Sequence, residues 1–147
     1  METQLVVIGK DENGCWKECE EQFGDKARNN VIRVPYIKNA QLKYIYPIAD
    51  VFVLPSIQEI FGMVLLEAMY FGAPTISSGS AGARTLIENG KSGYIIENFD
   101  PENWALKITE LLKNEHLRSK IGKAASERIQ EQFMWSCIVE KMIEEIV

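Results

Sequence analysis

The sequence has little histidine and little cysteine. One histidine, His116, occurs in 147 residues, and the three cysteines are Cys15, Cys19 and Cys137. A single histidine in the polar helical stretch NEHLRSK does not build a Ser-His-Asp or Cys-His catalytic arrangement, and we expect it on a helix surface. The cysteines lack the paired C-x-x-C spacing of a structural zinc site, so we interpret them as reduced thiols in a cytosolic protein.

The sequence also lacks an excess of basic residues and long hydrophobic runs. Lysine and arginine number 16 against 21 acidic residues, which gives a formal net charge of -5. Binding to nucleic acid phosphates needs a basic footprint, so nucleic acid is not an expected partner. No apolar run reaches the roughly 18 residues of a membrane-spanning helix. The start, METQLVVIGK, has no basic region before its strand pattern, so no signal peptide is expected.

The overall composition is that of a folded globular chain. Hydrophobic residues make up 46% and charged residues 25% of the sequence, which is not typical of disorder. The length fits one domain, or one part of a larger enzyme. Since no repeat, linker or low-complexity segment interrupts the chain, we predict a single domain over residues 1–147.

Five short apolar runs alternate with helical patterns. Continuous apolar runs are typical of parallel strands covered on both faces, whose ligands bind outside the carboxyl ends of the strands. We therefore predict an α/β fold with a doubly wound parallel sheet and a helical tail over about 101–147, where Asp100 caps the first helix and Pro101 begins it. The predicted strands are 5–8, 31–34, 50–54, 75–77 and 93–96, and the predicted helices are about 15–23, 40–49, 61–71 and 83–88.

The stretch DVFVLPSIQEIFGMVLLEAMYFGAPTISSG is predicted to run strand, polar turn, helix, strand. The first four amides of a helix have no intrahelical partner, and the helix dipole adds roughly half a positive charge there. The amides of Phe61, Gly62, Met63 and Val64 would therefore point out of the carboxyl edge of the sheet, where a glycine lets a phosphate approach closely. The alternative left open is that Gly62 serves only the turn.

Two carboxylates flank this helix start. Glu67 has apolar neighbours all round the helix, which predicts a buried helix and a carboxylate that must be paired or hydrogen-bonded. It lies five residues after Gly62, roughly 7.5 Å along a helix, an offset that fits a ribose cis-diol beside a phosphate at the tip. A structural pairing with lysine, arginine or a backbone amide is the alternative. Glu59, in the turn before the helix, would lie at the mouth of the ligand-binding cleft, near whatever is attached to the phosphate. The alternative is that Glu59 is only a negative charge that the helix dipole favours.

The stretch ADVFVLPSIQEIFGMVLLEAMYFGAPTISS resembles the E-x7-E donor-site motif of retaining GT-B glycosyltransferases, the family 4-like group 1 enzymes. The segments LVVIG, NNVIRVPYIKNAQLKYIYPIAD and SAGARTLIENGKSGYIIENFDPENWALKITELLKNEHLRSKIG resemble the segments on either side in that family. The likeness covers nearly the whole chain. It implies the Rossmann-like, donor-binding half of a GT-B enzyme that transfers a sugar from a nucleotide diphosphate sugar to a saccharide or lipid acceptor.

The resemblance implies a role for each residue of the motif. Glu59 would be the catalytic carboxylate, hydrogen-bonded to sugar hydroxyls close to the reacting carbon. Phe61 and Gly62 would lend backbone amides to the sugar and the phosphate. Met63 and Val64 would cap the diphosphate.

The same resemblance assigns Glu67 to the ribose hydroxyls, and Tyr36 and Ile37 to the base. It implies no metal and no cofactor, so helix amides and cationic side chains would stabilise the leaving diphosphate. In the family, the arginine and lysine that bind the diphosphate lie upstream of the segment that LVVIG matches, as does the N-terminal acceptor domain. This chain alone is therefore expected to be inactive. Thr85 stands at a position where this family frequently has a glutamate, and this difference weakens the case for a site at Gly82.

Other functions stay open at this point. A non-catalytic nucleotide-sugar-binding or assembly module is the main alternative. A sugar-nucleotide epimerase or a phosphorylase is a third, although P-S-x-x-E-x-F-G favours a transferase and no pyridoxal lysine motif is visible.

The resemblance also bears on partners and location. In the family the last helix crosses back to the N-terminal domain, which would leave its apolar residues partly exposed here and favour a homo-oligomer. A role in polysaccharide biosynthesis, in the cytoplasm or at the inner membrane face through peripheral association of the full enzyme, is a further expectation. The apolar tail residues concerned are Phe133, Trp135, Ile138, Val139 and Met142.

Overall fold

The first part of the chain forms a small parallel sheet. The computed structural model describes residues 2–11 and 13–146, except for the Lys26 side chain, and divides into two compact units, 1–42 and 43–147. In the first unit, strand β1 (Leu5–Ile8) pairs in parallel with β2 (Val31–Val34). The helices of this unit are α1 (Trp16–Gln22), α2 (Asp25–Arg28) and α3 (Asn39–Leu42).

The prediction that β1 is buried is wrong. Leu5, Val6 and Ile8 are all exposed despite their apolar run. Among residues 2–11 and 13–42, none whose side chain is described is buried. A unit this small has too little chain to cover both faces of even a two-stranded sheet.

The second unit contains a three-stranded parallel sheet. Strands β3 (Phe52–Leu54), β4 (Thr75–Ser78) and β5 (Tyr94–Ile96) lie in the order β3-β4-β5. The five predicted strands and their parallel pairing are thus confirmed, but they belong to two sheets, one in each unit, rather than to one. An apolar run predicts that a strand forms, whereas its neighbours depend on tertiary structure. The helices of the second unit are α4 (Met63–Tyr70), α5 (Ala81–Leu86), α6 (Pro101–Lys113), α7 (Glu115–Gln132) and α8 (Trp135–Ile146).

Helices cover both faces of the three-stranded sheet. On one face Phe52 and Leu54 pack against a core from α4, α5 and α7, and on the other Val51 and Val53 pack against a core that includes α6. This alternation follows from the two-residue period of a strand, and it confirms the predicted layers for this unit. The first core is built from Leu65, Met69, Ala83, Leu86, Ile87, Ala125 and Ile129, and the second from Ile76, Trp104 and Leu111.

The start of the helical tail confirms the capping prediction. The Asp100 side chain accepts the Glu102 amide at 3.1 Å, and Pro101 is the first residue of α6. The spacing of apolar residues in α6 predicts a stripe that packs on the sheet, made of Trp104, Leu106, Ile108, Leu111 and Leu112. This prediction is right for Trp104, Ile108 and Leu111, which pack in the second core. It is wrong for Leu106, which is 70% exposed because it lies about 200° around the helix from Trp104.

Two other helix predictions need correction. The predicted helix 40–49 is instead α3 followed by a short 3₁₀ turn (Tyr46–Ile48), in which Pro47 has no amide to continue an α-helix. Helix α5 begins at Ala81 rather than at residue 83, because the Ser80 hydroxyl accepts the Ala83 amide and so caps the helix at Ser80.

Candidate functional site

The loop between β3 and α4 lies at the carboxyl end of the three-stranded sheet and is tied to β4. The Ser77 hydroxyl donates to the Leu54 carbonyl at 3.2 Å, and the Ser78 hydroxyl donates to the Ser56 carbonyl. Both serine side chains are buried. Two neighbouring hydroxyls of the central strand therefore fix the backbone where it leaves β3.

Gly62 sets the direction of the chain into α4. Its φ of 82° and ψ of 60° are left-handed, and a Cβ there would lie 3.3 Å from Cγ of Glu59. A left-handed residue does not fit inside a right-handed helix, so α4 begins at Met63 rather than at residue 61. The Gly62 amide, predicted to face a ligand, donates to Oε1 of Glu59 at 3.1 Å in this structure.

A second glycine holds the same loop from the side of α5. The Gly82 amide donates to the Glu59 carbonyl at 3.2 Å. Gly82 is buried, and a Cβ at this position would overlap the Phe61 carbonyl. The structure thus places Gly82 directly against the loop, although the substitution at Thr85 had argued against a site there. Only the contact itself, not the sequence, reveals this role.

The prediction that α4 is buried on all sides is wrong. Leu65, Ala68 and Met69 are buried, whereas Met63 is 58% exposed and Val64 is also exposed. The helix packs against α5 and α7 with one face only. The side chains of Met63 and Val64, the first two residues of α4, therefore face solvent, as does that of Phe61 just before them.

Glu67 lies about one turn into α4 and is half-buried. Its Oε2 accepts a hydrogen bond from the Tyr46 hydroxyl at 2.9 Å. Within residues 2–11 and 13–146, Glu67 forms no ion pair, so the structural pairing with lysine or arginine is not what holds it. A tyrosine hydroxyl can satisfy one carboxylate oxygen without neutralising the charge.

Tyr46 is itself firmly held. It is only 5% exposed, its ring stacks on Phe71 with centroids 6.0 Å apart, and it meets Phe52 edge to face at 5.8 Å. Burial, the hydrogen bond to Glu67 and the charge of that carboxylate raise the pKa of the hydroxyl well above its ordinary value. Tyr46 therefore stays protonated and donates to Glu67 at any physiological pH. The sequence pattern of residues 40–49 does not predict the hydrogen bond between Tyr46 and Glu67, because this bond depends on packing between segments that are distant in sequence.

Tyr36 and Ile37 lie in the first unit, after β2. The Tyr36 side chain is 65% exposed and that of Ile37 is half-buried. The structure gathers the other predicted site residues on one loop and one helix of the second unit. The predicted contact of Tyr36 and Ile37 with a base stays a prediction.

A cation that the sequence did not single out also lies at the carboxyl end of the sheet. Arg84 of α5 pairs with Glu97, the residue after β5, through two hydrogen bonds, one of 2.8 Å. Both side chains are more than half exposed. The pair borders Gly79, where a Cβ would overlap the Glu97 carboxylate.

Features outside this site follow the sequence expectations in part. The three cysteines are free, and His116 is exposed on α7. Trp135, Val139 and Met142 of α8 are exposed as predicted. No helix within 2–11 and 13–146 is long and apolar enough to cross a membrane.

The sequence matches one family over most of its length. Residues 1–128 match the family described as glycosyl transferases group 1. Spore coat protein SA of Bacillus subtilis is 33% identical over 82% of this chain and 33% of its own length. D-inositol 3-phosphate glycosyltransferase of Corynebacterium jeikeium is 32% identical over 72% of this chain and 26% of its own length. The chain spans about a quarter to a third of the length of these relatives.

Solved structures agree with this match. Sucrose-phosphate synthase from Thermosynechococcus elongatus superposes with a TM-score of 0.85 at 26% identity, over 97% of this chain and 37% of that one. A point mutant of S. aureus TarM, solved with fondaparinux, alpha-GlcNAc-glycerol and UDP, superposes with a TM-score of 0.81 at 26% identity, over 96% of this chain and 28% of that one. The fold is the Rossmann-like half of a GT-B transferase. The chain belongs to the group 1 glycosyltransferase family.

Proposed function

We propose that this chain is the donor-binding half of a retaining glycosyltransferase, which transfers a sugar from a nucleotide diphosphate sugar to a saccharide or lipid acceptor. The observation that carries the proposal is the arrangement of Glu59, Gly62 and Glu67. A left-handed glycine turn joins a parallel strand to a helix whose first two side chains are exposed, and one carboxylate lies on each side of that glycine in the sequence. Ligands of parallel α/β sheets bind at this end of the strands.

The diphosphate would bind at the start of α4. The amides of Met63 and Val64 are among the first of the helix and have no intrahelical acceptor, and the helix dipole favours negative charge there. These donors are already in place before the sugar leaves, so they would stabilise the charge that develops on the diphosphate. We propose that the reaction needs no metal and no cofactor.

Glu67 would bind the ribose. Its Oε2 accepts the Tyr46 hydroxyl, and its Oε1 accepts no hydrogen bond from the residues that the structure describes. A ribose cis-diol offers hydroxyl donors to such a carboxylate. The TarM mutant solved with UDP supports nucleotide binding by this chain, since the matched part of TarM shares the fold and is 26% identical to it.

Glu59 would be the catalytic carboxylate, and Phe61 and Gly62 would line the sugar. Because the Gly62 amide donates to Glu59 in this structure, the amide must leave that carboxylate before it can bind donor oxygens. The Glu59 carboxylate would then be free to accept sugar hydroxyls. Binding of a base by Tyr36 and Ile37, which lie in the first unit, is a separate proposal.

Complementation tests the transferase proposal. The chain is combined with the N-terminal half of a group 1 relative and a set of radiolabelled nucleotide sugars, and transfer to acceptor is measured. We expect transfer only when both halves are present, with retention of the anomeric configuration. Saturable nucleotide binding without transfer in any combination would favour the alternative, a non-catalytic nucleotide-sugar-binding or assembly module.

Three further proposals concern the setting of the enzyme. We propose a role in polysaccharide biosynthesis. We propose a cytoplasmic location, with peripheral association of the full enzyme at the inner membrane face. We also propose self-association through α8. For self-association, analytical ultracentrifugation over a range of concentrations is decisive, because a constant monomer mass would contradict it. The proposal of self-association rests on three exposed apolar residues of α8, Trp135, Val139 and Met142.

A further inference from the structure

We propose that Tyr46 is a positioning residue of the nucleotide site, whose hydroxyl holds the Glu67 carboxylate in the orientation that binds ribose. This inference rests on the proposed function and adds a residue that the E-x7-E motif does not contain. Its basis is the 2.9 Å hydrogen bond from the Tyr46 hydroxyl to Oε2 of Glu67. Tyr46 comes from the 3₁₀ turn before β3, 21 residues away from Glu67 in sequence.

The donor of this hydrogen bond is rigid. Tyr46 is nearly fully buried, and its ring is fixed between Phe52 and Phe71. Its hydroxyl therefore has one location, set by ring packing, and cannot follow a carboxylate that rotates away. The raised pKa of the hydroxyl keeps the proton on the tyrosine, so Tyr46 is the donor and the Glu67 carboxylate is the acceptor.

The acceptor would otherwise be free to move. Glu67 is half-buried on α4 and has no ion pair in the part of the chain that the structure describes. A glutamate loses considerable rotamer freedom when a ligand fixes it, and that loss reduces affinity. Because Tyr46 binds one oxygen in advance, the other oxygen is available to ribose hydroxyls at a smaller entropic cost.

The test is Tyr46→Phe, which removes the hydroxyl and keeps the ring packing. Tyr44→Phe is the matched control, since Tyr44 lies two residues away and is 67% exposed. Isothermal titration is carried out on the 147-residue chain with UDP, GDP and ADP. The tightest of these is then compared with its 2′,3′-dideoxy counterpart, which lacks both ribose hydroxyls.

A positioning role predicts a selective effect. Tyr46→Phe should weaken the ribonucleotide by about 3- to 10-fold, the scale of one hydrogen bond, and leave the dideoxynucleotide within about twofold. Tyr44→Phe should change neither. In the Glu67→Ala background Tyr46→Phe should cause no further loss, because the hydroxyl acts only through that carboxylate.

Three results would overturn the inference. An unchanged ribonucleotide affinity in Tyr46→Phe, while Glu67→Ala weakens it, would remove Tyr46 from the site and leave the proposed function intact. An equal loss for both nucleotides would assign Tyr46 a purely structural role. Failure of the wild-type chain to bind any of the three ribonucleotides, even with the N-terminal half of a relative supplied, would count against the proposed function itself, and the inference would fall with it.

Discussion

Oε1 of Glu59 accepts a hydrogen bond from the backbone amide of Gly62 at 3.1 Å, so the carboxylate proposed for catalysis also closes the turn that starts α4. The two functions can be separated by substitution. Glutamine keeps an oxygen that can accept this amide but removes the charge, whereas alanine removes both.

Glu59→Ala should therefore lower the free energy of unfolding by about 0.5–1.5 kcal/mol, the net value of one hydrogen bond, and Glu59→Gln should lower it less. Urea denaturation measures both. In the complemented enzyme we expect each variant to reduce sugar transfer by about 100-fold, because the preorganised charge is gone. Wild-type transfer by Glu59→Gln would show that this carboxylate is a structural element of the turn and no more.

Gly62→Ala should destabilise the chain and disturb the site. Left-handed backbone costs a residue with a side chain about 1–3 kcal/mol, and the new Cβ would also lie 3.3 Å from Glu59 Cγ. The matched control is Gly90→Ala, because Gly90 has a similar φ of 80° but no neighbour within 4 Å of a Cβ. Both variants should lose stability in urea, and only Gly62→Ala should lose nucleotide affinity. Equal nucleotide affinities in the two variants would contradict a site at this turn.

Gly82→Ala tests whether α5 supports the loop. The added Cβ would overlap the Phe61 carbonyl, so the loop 59–62 must shift, at a cost of about 1–3 kcal/mol. Gly24→Ala is the control, since Gly24 has an ordinary φ and open space around it. We expect weaker nucleotide binding only for Gly82→Ala, measured by titration calorimetry. Binding as tight as in Gly24→Ala would mean that the position of this loop does not matter for the ligand.

These contacts mark the limit of what the sequence could predict. The five strands, the turn at Gly62 and the cap at Asp100 were predictable because each depends on a local pattern of apolar, glycine or capping residues. The division of the strands into two sheets was not, since it depends on which strands pair. The contact of Gly82 with the loop was missed for a similar reason, because only the fold brings α5 against residues 59–61.

The surroundings of Glu67 illustrate the same limit. The apolar pattern of α4 correctly indicated a carboxylate in need of a partner, but the partners expected were a ribose or, as the alternative, a basic residue or a backbone amide. The partner found, Tyr46, lies in a segment predicted to be part of an ordinary helix. A hydrogen bond between side chains 21 residues apart leaves no periodic signal in the sequence.

Tyr46 should also make the chain sensitive to alkaline pH. Its pKa is raised above the unfolded value of about 10, so the folded state retains a proton that the unfolded state loses. The resulting stability is fully present below about pH 10 and is lost as the pH rises towards the folded pKa. Urea denaturation between about pH 8 and 11 should show a steeper fall for wild type than for Tyr46→Phe. Parallel curves would contradict the burial and pairing of this hydroxyl.

The most direct test of the nucleotide site is titration of UDP, GDP and ADP into the wild-type chain and into Glu67→Ala. We predict saturable binding of at least one nucleotide by wild type, weakened by about 1–3 kcal/mol in the variant, the scale of lost hydrogen bonds to a charged group. An exposed glutamate of α7, Glu131, gives the control variant Glu131→Ala, which should bind like wild type. An unchanged dissociation constant in Glu67→Ala, or no saturable binding by wild type even with the N-terminal half of a relative supplied, would contradict a donor site at this helix.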